Sequence, residues 1–261
     1  MARFKHYQPE AFLAQDGRRG LEGKVATHHA KLARLVGRFE RPVVLELGTA
    51  RGLSTALLLS ACERAGGRMV SVDIEDCSDV AESPAWRFIQ ADDLDVEAIL
   101  EKAPFLREGI SLLHVDSLHA YEHVAGLLLA WYPYVVEGGF ITFHDIDPAA
   151  CGPRGFKPSP STYQDLLGDA RAAKDFFYAN ENDLFLAFHF GATGMGVMQK
   201  LSPLGARPRP PAPTLKFVKK VGIRRTLGLL ARAVRNLLRD RLHTARGHED
   251  WRDRYDVERA D

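Results

Sequence analysis

Cysteine is scarce in this sequence: three in 261 residues, Cys62, Cys77 and Cys151. An odd, scattered set with no C-x-x-C pair excludes a disulfide framework and a cysteine zinc site, and makes a reducing compartment the expectation. No run approaches the roughly 18 apolar residues of a membrane span. The opening stretch MARFKHYQPEAFLAQ has no apolar signal core. Neither sign of charge is in excess, with 35 Lys+Arg against 34 Asp+Glu, so net charge argues neither for nor against nucleic acid. No internal repeat is visible. What is there is the composition of a globular chain that buries a real core, with 46% hydrophobic and 26% charged residues. A cytoplasmic protein built on one large α/β domain with extensions is expected.

The balanced charge hides an asymmetry. Residues 215–243 hold nine Lys/Arg against one acid, Asp240, whereas 244–261 hold four basic and six acidic residues. Before them, 202–214 contain five of the fourteen prolines. That stretch reads as a semi-rigid extended linker. Leu227, Leu230, Val234, Leu237 and Leu238 recur at helical spacing, with Arg225, Arg232, Arg235 and Arg239 on another face. The segment 215–243 thus reads as a basic amphipathic helix. It suits either peripheral contact with anionic lipid or docking as a homodimer helix. Nucleic acid is not expected as a partner, since Phe217 is the segment's only aromatic residue.

Residues 41–201 alternate between strand-like and helix-like runs. Strands are expected over 41–48, 67–75, 86–93, 109–117 and 138–147, with a closing hairpin of 183–190 and 194–200. Helices are expected over 52–65, 95–105, 120–136 and 160–173. Residues 1–40 read as a polar helical extension. Strands separated by helices imply right-handed crossovers and a buried parallel sheet, to which the hairpin adds an antiparallel strand.

Ligands of open α/β sheets bind beyond the carboxyl ends of the strands, and four of those ends carry suggestive chemistry. The first is the loop Glu46-Leu47-Gly48-Thr49-Ala50-Arg51-Gly52, followed by Ser54. Its glycines allow a tight turn and close backbone approach, but it lacks the G-x-G-x-x-G spacing of a dinucleotide site. Glu46 would repel a pyrophosphate and suit a cationic or hydroxyl-bearing ligand. Asp73, Asp92 and Asp116 mark the other ends. A carboxylate at Asp73 can accept two ribose hydroxyls, and one at Asp92 can take an adenine amino group.

The run E-L-G-T-A-R-G-x-S-T, V-D-I-E, F-I-Q-A-D-D, H-V-D-S-L-H-A-Y-E and E-G-G-F-I-T-F-H-D resembles the class I S-adenosylmethionine-dependent methyltransferases. More narrowly, it resembles the bacterial small-molecule and sugar O-methyltransferases of the macrocin and cephalosporin-hydroxylase-like type, over about residues 40–201. The resemblance implies a Rossmann-like, seven-stranded, mostly parallel sheet with the last strand antiparallel. It also implies S-adenosylmethionine as cofactor, bound by the loop Glu46, Gly48, Thr49, Gly52 and Ser54 together with Asp73, Asp92 and Asp116. Gly48 and Gly52 would approach the methionine part, Asp73 the ribose and Asp92 the adenine. Ala91 departs from the glycine frequent in the family. The acceptor would be a small molecule or sugar.

Methyl transfer from a sulfonium needs an aligned acceptor and removal of one proton. Two devices are available. Asp116 and Asp145 end neighbouring strands and could share a hard cation such as Mg²⁺. Related metal-dependent methyltransferases have a third acid or amide after the second of these. Ile146 stands there, leaving Asp147 or His144 as substitutes. Alternatively His119, three residues after Asp116, is the general base. The plainer reading makes His119 a surface-loop histidine, and Asp116 and Asp145 loop caps. His114 reads as a core histidine, His123 as helix surface and Tyr121 as packing. Arg154 and Lys157, in the loop 148–160, could favour an anionic acceptor. Two other functions stay open: an inactive methyltransferase-like scaffold, and a nicotinamide-dependent dehydrogenase.

Overall fold

The computed structural model describes residues 2–18, 21–147 and 160–211. The chain divides into two units, Met1–Thr214 and Leu215–Asp261. The expected basic helix and acidic tail, and the loop carrying Arg154 and Lys157, lie outside the described residues. No described helix is long and apolar enough to cross a membrane.

In chain order the elements are β1 (Arg3–Phe4), α1 (Pro9–Leu13), α2 (Leu21–Val36), β2 (Val43–Leu47), α3 (Leu53–Arg64), β3 (Arg68–Asp73), β4 (Ala81–Glu82) and β5 (Trp86–Gln90). Then follow α4 (Val96–Lys102), β6 (Ile110–Val115), α5 (Tyr121–Trp131), β7 (Val135–His144), α6 (Pro160–Ala179), β8 (Leu184–His189) and β9 (Met195–Lys200). Seven strands form one sheet in the order β5-β3-β2-β6-β7-β9-β8. Strands β5, β3, β2, β6 and β7 are parallel. Strand β9 runs antiparallel between β7 and β8. This is the Rossmann-like sheet with an antiparallel last strand that the alternation and the resemblance implied. Strands β1 and β4 form a small antiparallel pair that no sequence signal announced.

Period-two alternation assigns each strand residue to one of two helical layers. Leu45, Leu47, Val70 and Val72 pack with α4, α5 and α6. Val44, Met69, Leu112 and Phe140 pack with α2 and α3. Helix α2 of the expected N-terminal extension thus contributes Leu32 and Val36 to the core. Helix α5 stops at Trp131, short of the expected 136, because Pro133 cannot supply a helical N–H. The β-branched pair Val135-Val136 then opens β7. Carbonyls left over at this break are taken by Lys200, whose buried ammonium donates to Tyr132 O and Val135 O at 3.1 and 2.8 Å.

The proline-rich stretch is held against the body as far as it is described. Gly205 N donates to Pro133 O at 2.8 Å. Asn180 exchanges two hydrogen bonds with the backbone of Arg209, at 2.7 and 3.0 Å.

On the α2/α3 face a row of polar side chains crosses the sheet. Ser71, Glu46, His114 and Thr142 are register partners on β3, β2, β6 and β7, and all are fully buried. The next row up on this face, at the carboxyl ends, holds the candidate site.

Candidate active site

The upper row runs Asp73, Gly48, Asp116, His144, Met195, His189. Each residue lies two positions beyond a lower-row partner or is itself in register across the strand pair. Asp116 N donates to Leu47 O, and Gly48 N to Val72 O, extending the parallel ladder by one step on each strand.

Beyond β2, β3, β5 and β6 lies a cavity of about 540 Å³, enough for a nucleoside-sized ligand. Gly48, Asp73, Asp92 and Asp116 line it, and so do Ile74, Glu75, Asp93 and His123. Gly48 has φ +93°, and a Cβ there would fall 2.2 Å from Asp116 O. Only glycine lets the loop after β2 lie on the backbone after β6. Asp73 braces the same loop: its Oδ2 accepts from Thr49 N and Ala50 N at 2.8 and 2.9 Å. Burial works against its charge, but hydrogen bonds from Ala50, Glu75 and Thr49 hold its carboxyl below the usual range.

Four expected cofactor contacts are not side chains of this cavity. Thr49, Ser54 and Gly52 lie off its lining. Thr49 and Ser54 are buried, and Gly52 caps α3 in a left-handed conformation. Glu46 is a clearer departure. It does not line the cavity: Thr55 Oγ1 and Ser71 Oγ both donate to its Oε2 at 2.7 Å beneath the loop. Burial is the largest influence on it, and lifts its carboxyl from the usual 4.5 to about 7 despite those hydroxyls.

The native state therefore holds a proton on Glu46 that the unfolded chain releases near 4.5. Stability falls as pH rises from there through 7. At about 1.4 kcal/mol per tenfold change in proton affinity, this amounts to a few kcal/mol. Glu46→Gln should flatten the pH dependence of denaturant stability over that window. Equal slopes in both proteins would show that Glu46 is ionised throughout.

Asp116 also belongs to a second group. One ligand atom each from Asp116, His144 and Asp145 lie within 4.8 Å of one another. His144 Nδ1 is 2.8 Å from Asp145 Oδ1 and 3.5 Å from Asp116 Oδ1. Its Nε2 is buried without a partner among the described residues. Asp145 sits at φ +53°, a left-handed conformation that a non-glycine residue adopts at a cost of about 1–3 kcal/mol. The donor set, two carboxylates with one imidazole, fits a hard divalent cation with open positions. Of the two expected substitutes for a third group, His144 belongs to this set and Asp147 does not.

His119 faces this cluster too. Its Nδ1 is 2.9 Å from Asp169 Oδ2, and its Nε2 is 3.5 Å from Asp145 and 3.9 Å from Asp116. Asp169 reaches it because Gly168 of α6 lies against the His119 carbonyl, where a Cβ would come within 2.3 Å. Burial opposes the charged ring, yet Asp169, then Asp116 and Asp145, raise His119 to about 9. His119 is thus a buried-side imidazolium tied to Asp169, not a loosely held surface-loop histidine.

His114 is fully buried, bonded to Thr142 Oγ1 at 2.9 Å and held neutral by burial, its pKa lowered to about 4. The Tyr121 hydroxyl donates to Asp175, and Arg171 lies over its ring, so it packs. His123 corrects its expectation. It leaves the helix surface for the cavity wall, 3.1 Å from Asp93. Sequence reading missed Asp169, and also His29, whose ring centroid lies 5.8 Å from that of His144.

Residues 45–146 match a family model described as a methyltransferase domain. No curated protein matches the chain in sequence. Among solved structures, the chain is similar to the MycE methyltransferase of the mycinamycin biosynthetic pathway, in complex with Mg and SAH. The identity is 21% and the TM-score 0.51, over 74% of this chain and 54% of that one. The chain thus spans about half of MycE's length. Cofactor-bound Rv0187 from MTB is 17% identical with TM-score 0.50, over 73% and 88%. The SAH-bound Podospora anserina methyltransferase PaMTH1 is 12% identical with TM-score 0.50, over 73% and 86%. At these identities the likeness is one of fold. The match covers residues 45–146, and the sheet that contains them has the Rossmann-like order β5-β3-β2-β6-β7-β9-β8.

Proposed function

We propose that this chain is an S-adenosylmethionine-dependent O-methyltransferase acting on a small molecule or sugar, of the macrocin-like branch. The observation that carries this reading is the double membership of Asp116, which lines the cavity and belongs to the Asp116/His144/Asp145 group. Cofactor and acceptor would meet at that residue. A cavity bordered by Asp73, Glu75, Asp92, Asp93 and Asp116 suits a ligand with a sulfonium and an amino group. It opposes a pyrophosphate, which weakens the dehydrogenase alternative. MycE, solved with Mg and SAH, supports the same pairing of cofactor and cation.

Asp116, Asp145 and His144 would hold Mg²⁺, which when bound orients an acceptor hydroxyl and lowers its pKa. His119 lies across the cluster and in its neutral form would receive the proton, with Asp169 fixing its ring. Asp73 orients the loop under the cofactor.

Calorimetry with S-adenosylmethionine, S-adenosylhomocysteine and NAD tests the reading, and loses it if neither sulfur ligand binds. Methyl incorporation into a cell extract, with and without EDTA, separates an enzyme from an inactive scaffold. Asp73→Ala should weaken S-adenosylhomocysteine binding roughly ten- to a hundredfold, the effect of one charged hydrogen-bond partner. An unchanged affinity would remove Asp73 from the site.

A further inference from the structure

A second polar cluster adjoins the first where α2 meets the β8–β9 hairpin. Lys24, His28 and Lys31 recur at i, i+4 and i+7, on one face of α2. Lys24 lies against Gly191 of the hairpin turn. Lys31 Nζ donates to His189 Nδ1 at 2.9 Å, so His189 keeps its own proton on Nε2, as a donor. His28 is 3% exposed, and its Nδ1 has no partner among the described residues. Burial, then the charges of His144 and Lys31, lower its pKa to about 4, leaving it a neutral imidazole with one N–H. Lys31 makes no ion pair with a described carboxylate. The cluster therefore gathers two imidazoles around an ammonium, with His28 able to donate from Nδ1 in the tautomer protonated there and no acid partnering Lys31 among the described residues.

Its place relative to the acceptor side is fixed by strand register. His144 pairs with Met195, and Met195 with His189. His144 and His189 thus share one face and one level of the sheet, two strands apart, or roughly 10 Å. Both meet α2, His144 through the ring of His29 and His189 through Lys31.

We propose that His28, Lys31 and His189 form an anion subsite for the acceptor, which carries a carboxylate or phosphate ester roughly 10 Å from the hydroxyl to be methylated. Calling the ligand an acceptor rests on the methyltransferase reading. The anion site rests only on the donors described here. An anion would complete such an arrangement, because the Lys31 ammonium and, with their protons on Nδ1 and Nε2, the His28 and His189 rings can all donate to it.

The test is a titration of the full chain with benzoate and, separately, phenyl phosphate, followed by the ring resonances of His28 and His189. S-adenosylhomocysteine affinity is measured on the same samples. One or both anions should shift the two rings, and the stronger binder tells carboxylate from phosphate. Lys31→Gln should weaken that binding roughly ten- to a hundredfold, and Lys31→Arg should retain it. S-adenosylhomocysteine affinity should change by less than about twofold in either variant, which also reports that they are folded. The proposal is overturned if neither anion shifts these rings, or if Lys31→Gln binds as well as the natural chain. Loss of S-adenosylhomocysteine binding in the natural chain would remove the methyltransferase reading instead, with the anion result standing apart from it.

Discussion

Gly48→Ala should abolish measurable S-adenosylhomocysteine binding and destabilise the fold by about 2–4 kcal/mol. The new methyl group would lie 2.2 Å from Asp116 O and 2.5 Å from Asp116 C, at φ +93°. Neither atom belongs to a flexible side chain that could swing aside. The strand ends must separate, and the break in the ladder runs between the two halves of the candidate site. The Asp73 carboxylate would lose its fit to Thr49 N and Ala50 N. Calorimetry reads the first effect and denaturant titration the second. A variant that binds S-adenosylhomocysteine normally would place the cofactor elsewhere.

His119→Ala should lower turnover by about 10²–10⁴-fold, the range for a positioned general base, with S-adenosylhomocysteine affinity little changed. Its pH profile gives a sharper reading. A base works only when neutral, and the cluster raises His119 from 6.5 to about 9. The rate of the natural enzyme should therefore climb with pH through that value. Asp169→Asn removes the nearest negative charge, at 2.9 Å, and disfavours the imidazolium. Its rising limb should move to lower pH. Mg²⁺ on Asp116 and Asp145 should displace the limb in the same direction, and EDTA should reverse that. Full activity in His119→Ala, or an Asp169→Asn limb that stays in place, would assign the proton to another group.

The strand-end acids were legible because a parallel sheet sends all its carboxyl ends to one side, so Asp73, Asp92 and Asp116 needed only their strands to be found. The end of α5 was legible in principle from Pro133, but the apolar run on both sides masked it. The role of Glu46 was not. Whether an acid near a strand end faces a ligand or the core depends on its depth as well as its face, and Glu46 lies one row too early, level with His114 and Thr142. Asp169 stands fifty residues from His119 and joins it only through the close approach of α6. His28, His29 and Lys31 belong to a helix that carries no motif, and they acquire meaning only when α2 is laid over β7, β9 and β8.

The antiparallel β9 has a mechanical consequence. As the shared partner of β7 and β8, it works as a ruler between His144 and His189 across the sheet. A single-residue slip of β8 along β9 would turn His189 to the opposite face and leave Lys31 without it. A slip of two would keep the face and carry the imidazole roughly 7 Å along the strand. The spacing between the two ends of a bound molecule would then be retuned by paired insertions in the turn at 190–194, with every residue around Asp116 left as it is.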